Sequence, residues 1–70
     1  MMETVATTGE KVRRLRRGSA MTQQQLAKAS GVSPSTIVGI ERGDRPNPHP
    51  RTLGKLAKAL GVSPADLLED

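Results

Sequence analysis

Cysteine and every large aromatic residue are missing from this 70-residue chain, and no long apolar run occurs in it. Without cysteine there is no disulfide framework and no thiolate metal site. Without Phe, Tyr or Trp any core must be aliphatic, and the aromatic platform on which single-stranded nucleic acid stacks is excluded. No stretch approaches the ~20 apolar residues of a membrane-spanning helix, and no signal-peptide pattern opens the chain. An intracellular, cytoplasmic protein without a membrane partner is therefore expected. The single histidine, His49, stands between two prolines, where a loop residue or a helix cap explains it better than a metal ligand lacking companions. Ser33, Ser35 and Ser63 have capping or surface roles and no neighbouring base, the acids are scattered, and no phosphate loop ends in Lys-Ser or Lys-Thr. Neither enzymatic chemistry nor a cofactor or metal is expected.

What remains is a small, basic, aliphatic chain. Seventy residues build one core, and apolar residues at 34% favour helices with short connections. The net charge is +4 and the pI about 10.4, which fits a polyanionic partner. Five of the eleven Lys and Arg residues (Lys11, Arg13, Arg14, Arg16 and Arg17) crowd one short segment, while the last five residues carry three acids.

Local signals divide the chain. An N-terminal arm, residues 1–8, precedes a domain at 9–70; the first six residues show no periodicity. Thr7 and Glu10 have capping-box spacing, so a first helix starts near Thr8 and runs to about Ser19, with Val12 and Leu15 inward and arginines elsewhere. Ala20 occupies a position where a helix-ending glycine is usual. Thr22 and Gln25 form a second capping box, Leu26, Ala27 and Ser30 follow at helical spacing, and Gly31 stops the pattern. Ser33 caps the next helix, Pro34 fits its first position, and Ile37 and Ile40 face inward. This helix, tight turn and helix have the arrangement of a DNA-reading helix-turn-helix. Prolines 46, 48 and 50 then impose an extended connection. A fourth helix from about Arg51 to Leu60 carries Leu53, Leu56, Ala57 and Leu60 on one stripe. Ser63, Pro64 and Asp66 start a final short helix bearing Leu67 and Leu68, whose acidic end at Glu69 and Asp70 opposes the helix dipole and frays.

The chain also repeats itself: LAKASGVSP at 26–34 and LAKALGVSP at 56–64 agree at eight of nine positions. The first copy leads into STIVGIERGDR, with Arg42 and Arg45. The second leads into ADLLED, whose acids phosphates repel. The first copy is the candidate reader and the second a packing element.

These residues together resemble the helix-turn-helix domain of the phage repressor and Cro class, the XRE family. The matching positions are Arg16, Thr22-Gln23, Leu26-Ala27, Gly31-Val32-Ser33, Ile37, Ile40-Glu41, Gly43, Thr52-Leu53, Leu56-Ala57, Leu60, Val62 and Leu67-Leu68. The resemblance covers nearly the whole chain. It implies an all-α, compact five-helix domain, with the helix-turn-helix at its second and third helices, that binds operator DNA as a two-fold dimer. It also implies that Gln23 touches a phosphate and that Arg16 and Glu41 form a structural pair. Pro34, Ser35, Thr36, Val38 and Gly39 match the base-facing positions. Bidentate base contacts need Arg, Lys, Asn or Gln, and none lies between Ser33 and Glu41. Gly39 in a helix costs ~1 kcal/mol against Ala, so it is either simply tolerated or required by a close approach to the groove or a partner.

Three functions follow. The first is sequence-selective double-stranded DNA binding by a transcriptional regulator, repressor-like, with residues 33–42 in the major groove. Arg13, Arg14, Arg16, Gln23, Arg42 and Arg45 would then meet the DNA backbone, and selectivity would lean on DNA shape. The alternatives are a protein-interaction module on the same scaffold, antitoxin-like or coactivator-like, and a non-specific nucleic-acid coat. A solvated face remains the plain explanation of the arginines of the first helix.

Overall fold

The structure, a computed structural model, describes residues 7–68. The expected looseness of residues 1–6 and the fraying of Glu69 and Asp70 lie outside the described residues. All regular structure among the described residues is helical: α1 (Thr8–Gly18), α2 (Gln23–Ser30), α3 (Pro34–Arg42), α4 (Pro50–Leu60) and a closing 3-10 turn (Pro64–Leu67). The fifth helix is thus shorter than expected. Pro64 allows only four residues before Leu68 returns to extended backbone, too few for an α-helical segment to establish itself.

The starts obey the side-chain caps. Thr7 accepts from Glu10 N–H at 3.1 Å while Glu10 accepts from Thr7 N–H at 2.9 Å, so α1 begins at a residue placed with the arm. Thr8 is buried there. Thr22 and Gln25 repeat the exchange at 3.0 and 2.8 Å. His49 is a cap: its Nδ1 accepts from Arg51 N–H at 3.0 Å, and Pro50 opens α4. Among the described residues Ala20 is the one non-glycine with positive φ, at 57°. It holds the end of α1 in a left-handed turn, with Met21 N–H bonding back to the Arg16 carbonyl at 3.1 Å.

α3 packs on both α1 and α2, and α4 packs on α2 and the closing turn. Val12, Leu26, Ile37, Ile40, Leu56 and Leu67 are fully buried in one aliphatic cluster. The α1–α3 crossing is set by Gly9. A Cβ there would lie 2.1 Å from the Ile40 carbonyl oxygen, so only glycine admits the α3 backbone at this distance. That contact, absent from the sequence reading, fixes how far α3 protrudes.

Candidate nucleic-acid interface

With Ile37 and Ile40 inward, the 3.6-residue period turns Ser35, Val38, Gly39 and Arg42 outward. The outward face has two flanks.

On one flank, α1, the start of α2 and α3 enclose a basic groove of about 310 Å³ lined by Arg13, Arg16, Arg17, Gln23, Val38 and Arg42. Glu41 lies at its floor. Its carboxylate accepts from Arg16 Nε at 2.7 Å and from Arg16 Nη2 at 3.0 Å, a bidentate pair. Arg16 Nη1 donates to the Met21 carbonyl at 2.8 Å, and Gln23 Nε2 donates to Glu41 Oε1 at 3.2 Å. The Arg16 and Glu41 side chains retain only 10% and 3% exposure. The Glu41 hydrogen bond raises the Arg16 pKa above its already high ordinary value, against the opposing effect of burial. The pair therefore ties α1, the α1–α2 turn and α2 to α3. It also aims Gln23, whose amide is held by Glu41 rather than standing alone.

On the other flank, Arg45 and Thr36 line a second groove of about 510 Å³ with Pro46, Asn47, Pro48 and Thr52. Ser33 caps α3 through Thr36 N–H at 3.3 Å, and the Ser33 and Thr36 hydroxyls are 2.7 Å apart. The loop after α3 folds back on the helix: the Gly39 carbonyl accepts from Asp44 N–H at 2.9 Å and Arg45 N–H at 3.2 Å. Arg42 faces Asp44 at 3.8 Å with both side chains largely exposed, a pairing too weak to withdraw Arg42 from another anion.

The expected residues do not all converge. Arg13, Arg16, Gln23, Val38 and Arg42 share the basic groove. Arg14 lies elsewhere, in a depression with Lys11, Leu15, Val62 and Asp66. Pro34 lines a shallow surface with Gln24, Lys28 and Val32. Arg17 was missed, although its spacing from Arg13 puts both on one helical face. Among the described residues no three His, Asp or Glu side chains come together as metal ligands would.

A protruding second helix of a helix-turn-helix beside a basic groove defines a nucleic-acid-binding domain of that class. The family model "Helix-turn-helix" (HTH_3) matches residues 12–67, and the chain belongs to that family. It is 45% identical over 60 residues to the uncharacterised HTH-type transcriptional regulator RghRB of Bacillus subtilis, covering 86% of this chain and 43% of that protein. It is 48% identical over 54 residues to the HTH-type transcriptional repressor RghR of the same organism, covering 77% and 40%. The chain thus spans about two fifths of the length of these two curated relatives. Among solved structures it resembles the restriction-modification controller protein C.AhdI from Aeromonas hydrophila, with TM-score 0.83, 36% identity and coverage of 90% and 94% of the two chains. It also resembles the P22 c2 repressor in complex with a synthetic operator, with TM-score 0.81, 37% identity and coverage of 89% and 92%. The same fold forms a 15% portion of Streptomyces albus HEPD, solved with substrate and Fe(II) bound (TM-score 0.84, 28% identity, 97% of this chain).

Proposed function

We propose that this chain is a sequence-selective double-stranded DNA-binding regulator, repressor-like, with α3 in the major groove and residues 9–70 as the reading domain behind a short N-terminal arm. The observation that carries the reading is the basic groove held open by Glu41 beside an outward face of small side chains. Arg13, Arg17 and Arg42, with Gln23 at the N-terminus of α2, contact phosphates, while Arg16, bonded to Glu41 and Met21, holds the groove in place. Ser35, Thr36 and Val38 meet base edges, Ser and Thr by single hydrogen bonds and Val38 at a thymine methyl. The protein acts by binding alone, in the cytoplasm, as a homodimer on half-sites about 34 Å apart, the spacing that places two such helices in successive major grooves. No described helix is long and apolar enough to cross a membrane.

Selection of sites from a random duplex library at moderate salt tests this. Enrichment of a two-fold-related site is expected. Binding without enrichment would leave a backbone-driven coat, and no binding at low salt would point to a protein partner. Arg42→Ala should weaken binding to all sequences alike and lower the salt slope by about 1. A loss restricted to one sequence would reassign Arg42 to a base.

A further inference from the structure

We infer that Arg45, outside the recognition helix, is the principal base-reading side chain, and that Gly39 is the residue that positions it. This rests on the reading of α3 as a major-groove helix and names the residue that gives it selectivity. Between Ser33 and Glu41 no side chain can make a bidentate base contact. The arginine that can do so is supplied from the loop. Its backbone N–H is tied to the Gly39 carbonyl at 3.2 Å. Its side chain crosses the outward face at the point where α3 has no Cβ: one built on Gly39 would lie 3.2 Å from Arg45 Cδ and Nε and 3.4 Å from Cγ.

The aliphatic stem of Arg45 thus lies over the bare backbone of α3, next to Thr36. Among the described residues no carboxylate pairs with it, since the neighbouring Asp44 faces Arg42. With α3 in the major groove, a guanidinium held against its outward face lies within reach of base edges. The chemistry it fits is the O6 and N7 acceptors of a guanine in the major groove. Gly39, unfavourable in a helix interior, is explained by this packing.

The test is the same library selection, run on wild type, Arg45→Lys, Arg45→Gln and Gly39→Ala, with thermal melts as the fold check. Wild type should enrich a guanine at one fixed position in each half-site. Arg45→Lys keeps the charge and a donor for guanine but loses the rigid planar fork, so discrimination at that position should fall by up to about tenfold while other positions keep theirs. Arg45→Gln should move the preference there towards adenine, whose N6 and N7 suit an amide. Gly39→Ala should blunt the same guanine preference with a melting temperature no lower than wild type. Unchanged preferences in all three variants, or a uniform loss at every sequence, would make Arg45 a phosphate contact and overturn the inference alone. Wild type enriching no site would overturn both this inference and the reading beneath it.

Discussion

The two LAKxxGVSP copies begin as the same local structure and end as different ones. Leu26 and Leu56 are both fully buried, Ala27 and Ala57 both pack in the core, and Gly31 and Gly61 both end their helix left-handed, at φ 78° and 75°. The one differing residue changes how the chain leaves. Ser30 Oγ accepts from Val32 N–H at 3.2 Å, whereas the second copy has Leu60 and Val62 N–H reaches the Ala57 carbonyl at 3.0 Å. Beyond Ser-Pro the difference is larger: nine residues of α3 against four of 3-10 turn. α3 continues because α1 receives it at Gly9 and Arg16 receives Glu41. Asp66 caps its own turn, accepting from Ser63 N–H at 3.0 Å. Identical starts thus yield a reading helix or a packing turn according to what lies across from them.

The strongest way to break this contrast is Glu41→Ala, which leaves the Arg16 guanidinium buried without its carboxylate and should cost about 3–5 kcal/mol. Asp66→Ala, at an exposed helix start, should cost about 1 kcal/mol or less. Urea denaturation compares them, and equal losses would refute the distinction. Gly9→Ala comes next. The added methyl meets backbone, which has no rotamer to yield, so a loss of about 3 kcal/mol is expected. Amide exchange should show α3 opening before α4, and a loss within ~0.5 kcal/mol would mean the crossing relaxes freely.

Smaller effects sharpen the comparison. Ser30→Leu makes the copies identical over nine residues and should change stability by no more than about 1 kcal/mol, one exchanged hydrogen bond. Protection of the Val32 amide should persist, now through the Ala27 carbonyl as Val62 uses Ala57; complete loss of protection would refute that exchange. The capping boxes pose the same question in charge. The Thr7 backbone N–H, and next its side chain, hold the Glu10 carboxyl below its ordinary value of 4.5. Because the folded value is the lower one, the stability Glu10 contributes is present above its unfolded pKa and lost as pH falls through the folded value. Glu10→Gln should flatten the acid limb of a stability–pH curve, and Gln25→Glu should steepen it. Parallel curves would show that the charge is irrelevant to the box.

These helix starts and this stop were legible because each depends on residues no more than four apart: Thr7 with Glu10, Thr22 with Gln25, Ser33 before Pro34, glycine at 31. The aliphatic core and the basic character that suits a polyanionic partner followed from composition, and the pairing of Arg16 with Glu41 came through the family resemblance. The final helix was overestimated because a cap and a proline mark where a helix begins and say nothing of what supports its length. What tertiary structure alone decided spans helix crossings: Gln23 joining Glu41 eighteen residues away, Gly9 against Ile40, Arg14 leaving the groove its neighbours line, and Arg45 lying over Gly39. Such contacts depend on how helices approach, and that distance is set by the whole core at once, not by any local stretch of the chain.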